Sequence, residues 1–193
     1  MNKSKVFNIP NLLCMFRIAV IPFMMVLFYF DNNVTVWFNI VLFALAGISD
    51  FLDGYIARAT GQTTLLGKFL DSSTDKMLVG ATILLLAAFG RLDGLWLVPA
   101  VIIFLREIFI AGVREFMALH NVIVHISRMG KWKLTVQVVS LGFLVAGPYG
   151  DSLIPHSLEI GKTLFLVATV LTIWSGWDYL REAWKEIQRM ENA

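Results

Sequence analysis

Four aspartates stand at positions 50, 53, 71 and 75, within DFLDGYIARATGQTTLLGKFLDSSTD, in a chain that is otherwise mostly apolar. If a helix runs through Arg58, steps of 100° per residue put Asp50, Asp53, Gly54 and Ala57 on one face. If a second helix begins near Asp71, Asp71 and Asp75 sit one turn apart. The linking stretch ATGQTTLLGK is short, so these two helices are expected to be antiparallel and adjacent, with four carboxylates meeting across one interface. Like charges packed together raise one another's pKa, and burial costs several kcal/mol per unpaired ion, so something positive must sit among them. An oxygen-only donor set favours a hard divalent cation such as Mg²⁺ or Mn²⁺, and four carboxylates have room for two ions. Two such ions at a membrane surface point to chemistry on phosphate. Gly54 and Ala57 leave space for a ligand on that face, and Arg58 can reach an anionic oxygen. The alternative is capping, or pairing with Arg58, Lys68 and Lys76, but capping calls for one carboxylate per helix start and not two on each face.

A second charged group follows. REIFIAGVRE places Arg106, Glu107 and Arg114 inside an apolar block, where ionisable residues face the bundle interior or a wet cavity. RMGKWKLT then adds Lys131 and Lys133. Guanidinium and ammonium groups of this kind suit a substrate that carries its own phosphate, whereas an uncharged alcohol would not need them. The alternatives are a buried pair of Arg106 with Glu107 or an aspartate, and topology anchoring by the lysines. On a helix Lys131 and Lys133 are 200° apart, so both can serve one ligand only if one precedes the helix.

The elements that must position these groups are membrane helices. Of 193 residues, 58% are hydrophobic and 16% charged, against about 25% charged in a typical soluble domain. Six apolar blocks run roughly Leu12–Phe30, Val36–Ala57, Thr74–Phe89, Leu95–Leu119, Leu134–Val145 and Leu158–Trp174, predicting an all-α integral membrane protein with six transmembrane helices. Residues 1–193 read as a single membrane-embedded domain without repeats or linkers. Basic residues gather at Lys3, Lys5, Arg58, Lys68, Arg128, Lys131, Lys133, Arg181, Lys185 and Arg189, while the opposite loops hold only Arg91. That asymmetry predicts both termini and the aspartates on the cytoplasmic side. A net charge of +2 argues against nucleic acid. Arg17 interrupts the first apolar run and no small-residue cleavage site follows, so the start reads as a retained first helix, with Asn11 as its expected cap. Cys14 has no partner for an internal disulfide, and His120, His125 and His156 read as loop or interfacial residues.

The aspartate stretch resembles the signature of the CDP-alcohol phosphotransferases, D-x2-D-G-x2-A-R-x8-G-x3-D-x3-D. Asp50, Asp53, Gly54, Ala57, Arg58, Gly67, Asp71 and Asp75 match at every fixed position. The resemblance implies that family's six-helix membrane fold, a CDP-diacylglycerol donor bound through two divalent cations, Mg²⁺ or Mn²⁺, attack by an alcohol, and departure of CMP. It implies that Asp50, Asp53, Asp71 and Asp75 hold the metals, that Asp75 also serves as general base, and that Gly54, Ala57, Arg58 and Gly67 line the cytidine-nucleotide pocket. It implies a homodimer, and the expected place is the cytoplasmic (inner) membrane. The later residues are similar to the branch of the family that uses glycerol 3-phosphate and makes phosphatidylglycerophosphate, with its R-E-x6-R-E and G-K-x-K-T runs. Arg106, Glu107, Arg114 and Glu115 match the first, and Gly130, Lys131 and Lys133 match most of the second; Leu134 stands where threonine is expected, with Thr135 next. On this likeness Arg106, Arg114, Lys131 and Lys133 bind the acceptor phosphate. Relatives of the same fold that make cardiolipin or phosphatidylinositol phosphate are the alternatives within the family. A cation or proton-coupled transporter is the alternative outside it, but would keep its carboxylates near the bilayer midplane.

Overall fold

The computed structural model describes residues 8–60, 64–120, 122 and 128–192; within them the side chains of Phe51, Ala57, Arg58, Leu65, Lys68, Arg128, Met129 and Lys131 lie outside the description. His125 lies outside the described residues too, while His120 and His156 sit at helix ends. Six α-helices follow one another: α1 Ile9–Phe30, α2 Asn33–Ala59, α3 Leu65–Ala88, α4 Leu97–Leu119, α5 Arg128–Ala146 and α6 Ser157–Glu191. Short 3-10 turns precede α4 and α6, and no strand occurs among the described residues.

Local chemistry sets the ends. The cap of α1 is Asn8, whose side chain accepts from the Asn11 amide at 3.0 Å, and not Asn11 as the sequence suggested. Pro10 is tolerated in the first helical turn, where its missing N–H has no helical partner to lose, so the helix starts ahead of it and Asn11 is carried inward. Asn32 and Thr35 form a reciprocal capping box at the start of α2. Thr64 caps α3 by accepting from Gly67 N at 2.9 Å, so this helix begins well before the apolar block at Thr74. Its charged first half starts from that cap and packs along α1. The last helix likewise continues past Trp174 to Glu191 as a more polar extension.

Four of the helical stretches, Ile9–Phe30, Asn33–Ile56, Gly94–Leu119 and Ser157–Glu191, are long and apolar enough to cross a membrane. α3 and α5 fall short of that measure because their first halves carry Asp71, Asp75, Lys76, Lys133 and Gln137. Large apolar side chains such as Phe23, Phe38, Phe109, Trp174 and Trp177 point outward, the arrangement of a protein whose solvent is lipid.

α1 packs against both α2 and α3, and α5 packs along α6. α4 leans on α6 and α3. α2 and α3 share no extended contact among the described residues. The expected direct pairing of the two aspartate helices is therefore replaced by a three-helix arrangement with α1 in the middle. The main core runs through Met24, Phe28, Ala46, Leu86, Ile103, Leu141, Leu144 and Phe165. A smaller one, around Ile110, Met117, Tyr179 and Ala183, joins the ends of α4 and α6. Glycine permits close helix contacts: a Cβ on Gly80 would lie 2.7 Å from the Phe104 ring, and one on Gly161 would lie 3.1 Å from Leu144 N.

The bundle end away from the aspartates is closed by Arg91. This buried guanidinium pairs with Asp31 at 2.7 Å, donates to the carbonyls of Leu144 (3.3 Å) and Val145, and lies 5.0 Å from the Phe28 ring centre. Burial pushes its pKa down, and the bond to Asp31 opposes that shift. Tyr149 Oη donates to the Asp31 carbonyl at 2.6 Å, so three connections are tied at one point.

Candidate active site

The positive charge demanded by the four carboxylates comes from α1. Arg17, 1% exposed, pairs through Nη1 with Asp50 and Asp75 and through Nη2 with Asp53, and reaches Asp71 at 3.2 Å. α2 supplies Asp50 and Asp53, and α3 supplies Asp71 and Asp75, so one guanidinium joins three helices. Asp53 is buried (side chain 4% exposed), whereas Asp50, Asp71 and Asp75 are partly open at 36%, 51% and 47%. Cys14, one turn before Arg17, donates its thiol to Asp53 Oδ2 at 3.3 Å.

Two groups of donor atoms could hold a metal ion in exchange for contacts that Arg17 makes here. Oxygens of Asp50, Asp71 and Asp75 lie within 4.8 Å of one another, and so do Cys14 Sγ and oxygens of Asp53 and Asp71. Asp71 belongs to both groups. Carboxylate oxygens dominate the set, so its chemistry is that of a hard cation.

The other motif residues divide. Gly54 lies on α2, half-buried, one residue after Asp53. Gly67 packs against α1: a Cβ there would lie 2.6 Å from Asn11 Oδ1, so glycine is what lets the first turn of α3 approach Asn11. The backbones of Ala57 and Arg58 continue α2, with side chains outside the described set.

The second charged group opens on the same space. A cavity of about 320 Å³ is lined by Asp71 and Asp75 on one side and by Arg106, Arg114 and Lys133 on the other. Arg106 Nη2 donates to Ser175 Oγ at 3.0 Å, and a Cβ on Gly176 would lie 3.2 Å from its Nε. α6 thus both holds this arginine and leaves it room. Glu107 pairs with Lys133 and stands 3.8 Å from Arg106, so the expected Arg106–Glu107 contact exists alongside the cavity placement. Arg114 is exposed at the rim. α5 begins at Arg128, so neither lysine precedes the helix and the condition for both to serve one ligand is not met. Lys133 lines the cavity; the side chain of Lys131 lies outside the described residues. Leu134 contributes cavity wall in place of a hydroxyl.

Three residues of this site escaped the sequence reading. Arg17 registered only as an interruption of an apolar run, although a charge in such a run is itself a signal. Gln137, one turn beyond Lys133, and Ser175 are polar positions in apolar helices, but nothing in their spacing ties them to a site.

A carboxylate cage joined by one cavity to a cationic clamp, in a helical membrane bundle, is suited to moving a phosphorylated group. The chain belongs to the CDP-alcohol phosphatidyltransferase family, whose model matches residues 7–174. It is 38% identical over 174 residues to the CDP-diacylglycerol–glycerol-3-phosphate 3-phosphatidyltransferase of Rickettsia typhi, covering 90% of this chain and 96% of that protein. The protein of the same name from Haemophilus influenzae is 38% identical over 181 residues, covering 92% and 94%. The chloroplastic/mitochondrial enzyme 1 of Arabidopsis thaliana is 34% identical over 197 residues, covering 96% of this chain and 66% of that protein.

Proposed function

We propose that this chain transfers the phosphatidyl group of CDP-diacylglycerol to glycerol 3-phosphate, giving phosphatidylglycerophosphate and CMP. The observation that carries the reading is the shared cavity: carboxylates suited to a metal-bound diphosphate face Arg106 and Lys133, which suit an acceptor bearing its own phosphate. The names of the relatives point the same way.

Asp50, Asp53, Asp71 and Asp75 hold two divalent cations, Mg²⁺ or Mn²⁺. When bound, these ions offset the charge of the diphosphate and of the departing CMP. Gly54, Ala57, Arg58 and Gly67 form the side on which the cytidine nucleotide lies. Arg106, Arg114 and Lys133 hold the acceptor phosphate and direct the terminal hydroxyl towards the carboxylates; Lys131, 200° round the same helix from Lys133, is left out of that contact. Asp75 takes the hydroxyl proton as the new P–O bond forms on the lipid-bearing phosphorus and the bond to the CMP oxygen breaks. Residues 1–193 act as one domain crossing the inner membrane six times, with both termini and the active site cytoplasmic, and two copies pair as a homodimer. Acyl chains stay in the bilayer while the phosphates meet at its edge.

The test is CMP release by the purified protein in detergent with CDP-diacylglycerol and Mg²⁺ or Mn²⁺, comparing glycerol 3-phosphate, inositol phosphate, inositol, serine and phosphatidylglycerol. Release with glycerol 3-phosphate alone is expected. Release only with inositol phosphate or phosphatidylglycerol would replace the acceptor, and no release with any of them would reject the reaction.

A further inference from the structure

Gln137 is fully buried, at 0% exposure, and lines the cavity, yet neither its amide nitrogen nor its amide oxygen has a partner. It is the one described residue with two such side-chain atoms. Buried amides are ordinarily satisfied, so an amide left open on both its donor and its acceptor, on the wall of a cavity, is matched to something that enters the cavity. Its place says what. Gln137 lies four residues after Lys133 on α5, on the same face and one turn deeper in the bundle, beneath the cations that suit a phosphate. A hydroxyl group complements both atoms at once, donating to Oε1 and accepting from Nε2.

We propose that Gln137 is a specificity-determining residue that grips the non-reacting hydroxyl of a phosphorylated polyol acceptor. The inference rests on the reading of the acceptor as glycerol 3-phosphate, which carries one hydroxyl to attack and a second on its middle carbon. With phosphate on Arg106 and Lys133 and the middle hydroxyl on Gln137, two points fix the acceptor, and the terminal hydroxyl is left to face Asp71 and Asp75. The amide therefore selects a polyol phosphate over a simple hydroxyalkyl phosphate, which would leave Gln137 unpaired in the complex.

The experiment compares glycerol 3-phosphate with 3-hydroxypropyl phosphate, which lacks only the middle hydroxyl, in the CMP-release assay. It uses the wild-type protein, Gln137→Leu and the length-matched Gln137→Met, with thermal unfolding recorded for each. The wild type is expected to favour glycerol 3-phosphate by about tenfold or more in kcat/KM. Both variants are expected to narrow that preference to about threefold or less, by losing activity on glycerol 3-phosphate alone, with KM for CDP-diacylglycerol unchanged. Their unfolding midpoints should stay level or rise, because an apolar side chain removes two unpaired buried polar atoms. A wild-type preference that survives in both variants overturns the proposal, as does an equal loss on both acceptors with a lowered midpoint, which marks a packing role. A wild type inactive with glycerol 3-phosphate would bring down the proposed reaction and this inference with it; the other two failures leave that reaction standing.

Discussion

Replacing Arg17 by glutamine removes the charge that joins α1, α2 and α3. The four ion pairs are not equal. Asp53 is 4% exposed and cannot recover its hydration, while Asp50, Asp71 and Asp75 are 36–51% exposed and turn to water. Exposed pairs contribute about 0–1 kcal/mol and are screened, whereas stripping a partner from a buried pair costs about 3–5 kcal/mol. The Asp53 pair therefore dominates, and Arg17→Gln is expected to cost about 3–5 kcal/mol, or roughly 6–20 °C in unfolding midpoint for a chain of this size. Six tryptophans give a fluorescence signal for thermal unfolding in detergent with EDTA. Because the dominant pair is buried, the loss should persist in 1 M salt. Adding Asp53→Asn should recover part of it by removing the stranded charge. Millimolar Mg²⁺ in place of EDTA should shrink it if, as proposed, the ions bind the same oxygens. A loss under about 1 kcal/mol, or one that disappears in high salt, would refute the assignment of Arg17 as the buried keystone of the cage.

Asp75→Asn is expected to abolish CMP release while largely sparing CDP-diacylglycerol binding, and normal turnover would remove Asp75 as the base. Arg114→Ala should raise KM for glycerol 3-phosphate several-fold more than KM for the liponucleotide; equal effects on both would argue against its place in the acceptor site. Ser175→Ala, which frees Arg106 from its 3.0 Å hydrogen bond, should raise the acceptor KM about three- to tenfold with little change towards CDP-diacylglycerol. Arg91→Ala should lower stability by about 2–4 kcal/mol without changing kcat of the folded fraction, because its partners lie at the far end of the bundle.

How much of this could be read beforehand depends on what kind of information a residue type carries. Asp50, Asp53, Asp71 and Asp75 are legible because charge in an apolar chain is costly and their spacing is periodic, and the structure does bring them together. Arg106, Arg114 and Lys133 are legible on the same ground. The lateral order of helices is not. Hydropathy marks which segments enter the membrane, and nothing in it says that α1 lies between α2 and α3 or that Arg17 reaches all four aspartates. Helix ends were misplaced for a related reason. The first half of α3 and the end of α6 are charged segments held helical by packing and capping, and an apolar window stops short of both. The cap of α1 differs from the sequence expectation because Pro10 is accommodated within the first helical turn, which moves the start of the helix back to Ile9 and the cap to Asn8.

α6 has 35 residues, about 52 Å at 1.5 Å per residue, against a hydrocarbon layer of about 30 Å. Standing upright it overshoots the oil by roughly 20 Å. The segment from Ser175 to Glu182 that walls the cavity lies in its second half, towards that overshoot. One continuous rod thus touches two phases. Under the proposed topology its lower part meets acyl chains, and its upper part reaches the height at which a small, water-borne anion diffuses. A reaction between a molecule that never leaves the oil and one that never enters it needs a fixed meeting height, and an unbroken helix sets that height as a surveyor's staff would.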